Sequence, residues 1–409
     1  MKIYHIESFL AVFIIWAGLI GRLSAHEPAA GRDCTGYAYA PAFATPLANY
    51  KPRFSTIAHR FLDAERDVGP VTAREYAILD SVLDEARSSL QPAPEGIDRV
   101  AYKRFAIDSL KKVDCILVRH GFVYPGIGLV NLLSDGLDST LFVGSRHYNA
   151  LLNSSHSAGR IDFIIKRKPG PYYVVDCDTA SYIYLAVGEL MNYPISMVQM
   201  PLHNFVRWRL PDESYIDFET MDGIETNDDY YVARWGIPRS FIGEPGVLTT
   251  MTASQLLAYE NFGIGIAKTW KRDYKGAIAA YQKAIEIDAT LSDSFNNLAW
   301  LYAVVPDLRY RDASQAVALA KKAVAILATG DALDTLACAY ALGGDYQAAI
   351  DAESQAHWAP QGSDINGNLA LFKDGRPCAD PKFGIDPRPF REVSSSQDNI
   401  IQRDFNSTH

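Results

Sequence analysis

The chain has 409 residues, 48% of them hydrophobic and 21% charged, which predicts a globular protein with room for two or three domains. A formal net charge of −9 argues against nucleic acid as a partner, because phosphate backbones are bound by basic faces. The one compact basic run, Lys166-Arg167-Lys168, precedes Pro169-Gly170 and reads as an exposed loop.

At the N-terminus, Lys2 precedes an apolar run from Phe9 to Ile20, followed by Gly21-Arg22 and the small residues Ser24-Ala25. That length suits the core of a secretory signal peptide better than a membrane span, which needs roughly 20 residues. Residues 1–25 are therefore expected to be a signal peptide, and the protein to be exported, periplasmic or secreted; an uncleaved segment anchoring it to a membrane is the alternative. No lipid-attachment pattern precedes Cys34. Thr72 to Glu75 has capping-box spacing, and Leu79, Val82, Leu83, Ala86 and Leu90 share one helical face, ended by Gln91-Pro92-Ala93-Pro94. A second helix is expected from about Asp98 to Val118, and the Gly-, Ser- and Asn-rich stretch 134–171 reads as loops.

The stretch from Asp176 to Gly223 carries the candidate chemistry: Cys177, then His203, then Asp217 and Glu219. A thiol, an imidazole and a carboxylate are the parts of a cysteine-nucleophile acyl-transfer site. Ala180, Tyr184, Val187 and Met191 recur at helical spacing, and Asp176 is a good N-cap, so Cys177 falls in a first helical turn. There the helix dipole favours a thiolate, while the neighbouring carboxylates Asp176 and Asp178 oppose it. Asn192-Tyr193-Pro194 stops the helix. Two strand-like runs follow, Ile195–Trp208 and Ser214–Phe218, joined by the turn Pro211-Asp212-Glu213. His203 then lies on the first arm of a hairpin and both acids on one face of the second, where either could hold the imidazole.

These residues resemble the transglutaminase-like, papain-related cysteine enzymes, especially their bacterial branch. The likeness rests on Cys177 at a helix start, the strand from His203 to Trp208, and the segment from Ile216 to Gly223. It implies Cys177 as nucleophile, His203 as base and an acid on the next strand as its orienter. Phe218-Glu219-Thr220 looks like that family's Phe-Asp-Pro-Thr segment and favours Glu219; the related Ile-Asp-Pro-Phe version favours Asp217. Glu219 is placed first and both are kept. The implied domain covers residues 26–250.

From 258 to 363 the chain resembles tetratricopeptide repeats, about three paired-helix units with a period near 34 residues. Small residues stand where helices must cross: Gly265, Ala277 and Ala284 beside Tyr281, then Ala299, Ala316, Ala320 and Ala323, then Ala337, Ala349 and Ala356. The stretch from Val304 to Asp312 reads as a loop inserted within the second unit. Such an array either braces the first domain or offers a groove for a protein or peptide. Residues 364–409 read as a C-terminal extension, disordered after Pro387.

Export makes the five cysteines informative. An odd number leaves one thiol unpaired, a role Cys177 fits; Cys34 could bridge to Cys115 or Cys378, Cys338 reads as simply buried, and at most one disulfide is expected. His120, His147 and His156 have no partners at metal-ligand spacing, and no cofactor signature is found. The expectation is an α+β protein: a helical N-terminal part, a transglutaminase-like core with the Cys helix on antiparallel strands, then an all-α tetratricopeptide solenoid. Its expected activity is acyl transfer on peptide or carboxamide bonds, as peptidase, amidase or transglutaminase, without cofactor or metal. The rival is an inactive scaffold whose repeats bind another protein, and a redox-sensing thiol is weaker because no resolving cysteine lies nearby.

Overall fold

A computed structural model describes residues 34, 50–69, 71–123, 140–141, 172–201, 203–356 and 365–378. The expected signal peptide, the basic run 166–168, nearly all of the 134–171 stretch and the tail after Pro387 lie outside these residues.

Three helices come first: α1 (Ile57–Glu65), α2 (Ala73–Ser89) and α3 (Arg99–Arg119). The capping box forms as its spacing predicts, with the Glu75 carboxylate accepting the Thr72 N–H at 2.6 Å. Short strands β1 (Phe122–Val123), β2 (Thr140–Leu141) and β3 (Tyr172–Val174) make a small sheet in the order β1-β3-β2. Helix α4 (Cys177–Met191) follows. Its residues from Thr179 to Gly188 are all buried, as expected of a helix apolar on every side. Asn192, in the left-handed region at φ 55°, ends it. Gly188 then lets the returning strand pass close, since a Cβ there would stand 3.1 Å from the Ile195 Cβ.

The main sheet is five-stranded and antiparallel: β4 (Ile195–Met200), β5 (His203–Arg209), β6 (Tyr215–Glu219), β7 (Ile224–Thr226) and, after helix α5 (Asp228–Trp235), β8 (Thr249–Thr250), in the order β7-β6-β5-β4-β8. The run expected as one strand from Ile195 to Trp208 is two, with Met200 paired to His203 across a tight turn at Pro201. Pro201 has no N–H to give the ladder and so ends β4 there. Alternation sorts the side chains cleanly. Met197, Val206, Trp208, Ile216 and Phe218 join the core beneath α4. On the other face Val198, Met200 and Phe205 pack with Tyr231 of α5, Val247 and Leu248.

A run of packed helices completes the chain: α6 (Ala253–Trp270), α7 (Tyr274–Ile287), α8 (Ser292–Val304), α9 (Ala313–Ile326), α10 (Gly330–Leu342), α11 (Tyr346–Glu353) and α12 (Ile365–Lys373). Consecutive helices pack in pairs, α6 with α7, α8 with α9 and α10 with α11. Gly265 and Tyr281 meet as their sequence pattern requires: a Cβ at 265 would fall 2.4 Å from the Tyr281 ring. Ala277, Ala284, Ala299, Ala316, Ala320 and Ala349 are fully buried at the crossings. The packed run continues beyond 363, because Phe372 of α12 is buried against α10 and α11.

This run leans on the rest of the molecule. Ile264 and Ala267 of α6 pack with Val68, the Lys271 ammonium donates to the Val68 carbonyl, and Leu327 joins the cluster of Val247 and Leu248.

Two disulfides are present, Cys34–Cys115 and Cys338–Cys378, so the expectation of at most one is corrected. Cys338 is buried, as expected, and also bridged: its partner Cys378 lies beyond α12, a helix that the repeat pattern does not include. The loops closed span 81 and 40 residues, each worth about 4 kcal/mol in the chain-entropy account. Such bridges belong to oxidising compartments. Among the described residues no helix is long and apolar enough to cross a membrane.

Candidate functional site

Cys177 is the one free cysteine and is partly exposed. It stands where the sequence places it, in the first turn of α4, with Asp176 as N-cap accepting the Thr179 N–H at 3.1 Å. On its other side Asp178 offers a single oxygen, Oδ1, to two donors: the Asn204 side-chain amide and the Tyr259 hydroxyl, the latter at 3.1 Å. The backbone N–H of Asn204 favours the thiolate form of Cys177.

His203 opens β5 and is buried. Its Nε2 meets Glu219 Oε2 at 2.7 Å, and its ring stacks on Trp235 of α5 at 4.4 Å. The second Glu219 oxygen accepts the Met221 N–H at 3.0 Å. A carboxylate can only accept, so Nε2 carries the proton and Nδ1 the lone pair. Nδ1 has no hydrogen-bond partner among the described residues.

The two acids share a face, as expected, and take different partners. Asp217 lies directly opposite Arg207 and binds it twice, at 2.6 and 3.0 Å. Arg207 also reaches Asp228 at 2.9 Å. Burial pushes Asp217 up to about 6, with Arg207 working against it. Of the two, Glu219 is the one that holds the imidazole.

Cys177 and His203 come to the same end of the sheet, since Asn204 beside His203 touches the first turn of α4. No hydrogen bond joins their side chains. Alternation along β5 sends His203 toward α5 and Asn204 toward α4. Sequence reasoning had no access to Tyr259, which arrives from a helix 81 residues away, nor to Asn204, whose only signal was adjacency to the histidine.

The electrostatics decide the state of the thiol. Burial pushes Cys177 well above its ordinary value, and Asp178, Asp176 and Glu219 add to the rise against the Asn204 N–H. A helix dipole supplies about 0.3–1 kcal/mol, less than one unit of pKa. Burial and nearby like charges each shift a group by more than that, so the thiolate expected from the dipole does not form at rest. Asp176 is itself pushed well up by burial and by Asp178, and burial raises Asp178 to about 6 against its bonds from Tyr259 and Asn204. Among the described residues no cluster of three or more His, Cys, Asp or Glu could hold a metal ion.

A scan against models of known protein families finds no match, and a search of the curated proteins finds none either.

Proposed function

We propose that this chain is an exported, periplasmic or secreted, cysteine acyl-transfer enzyme of transglutaminase-like type acting on peptide or carboxamide bonds. One observation carries the reading: the single unbridged thiol of five lies at a helix start, at the same sheet end as a His–Glu pair whose Nδ1 has no hydrogen-bond partner among the described residues. Because the thiol rests protonated, the step is general-base attack and not attack by a preformed ion pair. His203 Nδ1 takes the proton as Sγ bonds to the carbonyl carbon, and Glu219 stabilises the imidazolium. Asp176 already takes the Thr179 N–H, and the Cys177 N–H at the open start of the helix is the donor offered to the oxyanion. The imidazolium then protonates the leaving amine, and the thioester passes its acyl group to water or to an amine. At rest His203 faces α5, on the side of the sheet away from α4, so this transfer requires its ring to turn past the open end of β5 toward Sγ when substrate binds. The helical run, read as a tetratricopeptide-type solenoid, braces the core and could present a protein or peptide groove.

The test is Cys177→Ala assayed on a panel of peptide and carboxamide substrates. All acyl transfer should vanish while the circular dichroism spectrum is kept; undiminished turnover refutes the reading. The alternative, an inactive scaffold whose repeats mediate protein interaction, is favoured by the carboxylates that hold the thiol protonated. It predicts slow iodoacetamide labelling of Cys177 that is indifferent to His203→Ala.

A further inference from the structure

One side chain carries the helical run into the thiol site. Tyr259 belongs to α6, yet its ring packs against the core beneath α4. Its hydroxyl ends on the carboxylate next to Cys177, on the same Oδ1 that takes the Asn204 amide. Asp178 is thereby pinned from two directions, by β5 and by a helix outside the Cys177 domain. Removing either donor would free a carboxylate that adjoins the nucleophile.

We propose that Tyr259 is a positioning residue of the Cys177 site: supplied by the helical run, it holds the Asp178 carboxylate in its ionised form against the first turn of α4, and so sets the opposition that the thiol meets when it ionises. As a control on acyl transfer this rests on the reading above; as a statement about the thiol it stands alone.

The surroundings show why a neutral donor matters here. Facing this corner are the N-cap Asp176, Cys177 and Tyr182 of α4, Glu219 of β6, Tyr259 and Glu260 of α6, Glu65 of α1 and Asp293 of α8. Among the described residues, His203 of β5 is the group acting on Asp178 that can carry positive charge. With so little cationic help, the ionised carboxylate depends on its hydrogen bonds. Without the Tyr259 hydroxyl, Asp178 would titrate higher than its value of about 6. In the window just above that value it would then be neutral, and Cys177 would lose its nearest like charge. The sign is therefore unusual: deleting a hydrogen bond should make the nucleophile easier to ionise.

The experiment is the second-order rate of iodoacetamide alkylation of the full, oxidised chain against pH, for wild type, Tyr259→Phe, Asp178→Asn and the double variant. The four remaining cysteines are bridged, so the rate reports Cys177 alone. Asp178→Asn should alkylate about tenfold faster near neutral pH, the equivalent of one unit in the thiol. Tyr259→Phe keeps the ring; it should be about threefold faster just above pH 6 and rejoin the wild type about two units higher, once both carboxylates are ionised. The double variant should match Asp178→Asn. A Tyr259→Phe effect that persists in the Asp178→Asn background, or no effect at any pH, overturns the proposal. Should the cycle hold while Cys177→Ala leaves acyl transfer intact, the enzymatic reading fails and the positioning role survives.

Discussion

His59 and His203 are both buried, and each turns Nε2 to a carboxylate, Asp80 at 2.9 Å and Glu219 at 2.7 Å. They differ at the other nitrogen. His59 Nδ1 is taken by the Thr56 hydroxyl at 2.9 Å in the N-terminal turn of α1, and Asp80 further accepts the Tyr50 hydroxyl and the Arg53 N–H. His203 Nδ1, at the sheet end that also receives a free thiol, has no hydrogen-bond partner among the described residues. His120 repeats the closed pattern, with Ser81 on one nitrogen and Glu85 on the other. A buried His–carboxylate pair is thus a common structural device, and the lone pair left over is what separates a candidate base from a strut.

The strongest way to break this comparison is to remove each imidazole. His203→Gln should lower acyl transfer by about two to four orders of magnitude, the usual worth of a positioned base, while His59→Gln should leave turnover per folded molecule unchanged. Equal losses in a steady-state assay corrected for folded fraction would erase the distinction. Next come the acids. Asp80→Ala strips acceptors from buried His59, half-buried Tyr50 and exposed Arg53 and should cost about 3–5 kcal/mol in urea unfolding, mainly because it breaks the buried His59–Asp80 pair. Glu219→Ala should cost less, about 1–3 kcal/mol, since among the described residues His203 and the Met221 N–H are the donors that lose it as acceptor. A reversed order would show that the β5–β6 pair is the structural one.

The smallest effect is a pH dependence. Against burial, bonds from His59, Tyr50 and Arg53 hold the Asp80 carboxyl below the usual carboxylate range. Its stabilisation is therefore present above the unfolded value of about 3.9 and is lost as pH falls through the lower folded one. Asp293 has the opposite sign: burial pushes it up to about 6 with only Gln199 opposing. Its ionisation then destabilises the fold as pH rises from about 4 to about 6. Asp293→Asn should be more stable than wild type above that window, on the order of 1 kcal/mol given its partial exposure, and no different below it. Thermal melts at the two ends of the range would decide.

What could be read beforehand was local. The capping box at Thr72, the N-cap at Asp176 and the turn at Pro211 depend on residues a few positions apart, the fit of Gly265 to Tyr281 on two helices adjacent in the chain, and each formed. The choice between Glu219 and Asp217 needed the register that sets Arg207 opposite Asp217. The break of the long strand-like run at Pro201 was legible in principle and was overridden by a continuous run of β-formers. The Cys338–Cys378 bridge and the Tyr259–Asp178 bond join segments that pattern reading treats separately, so no periodicity could announce them.

The two carboxylates beside Cys177 have a consequence during maturation of the chain. Being neighbours in sequence, Asp176 and Asp178 accompany the thiol even before the fold exists. A fifth cysteine able to form a ready thiolate would attack nascent bridges and shuffle them, since exchange proceeds through the thiolate. By disfavouring that anion, the carboxylates that hold the Cys177 thiol protonated in the folded protein would also slow its exchange with the Cys34–Cys115 and Cys338–Cys378 bridges as these form.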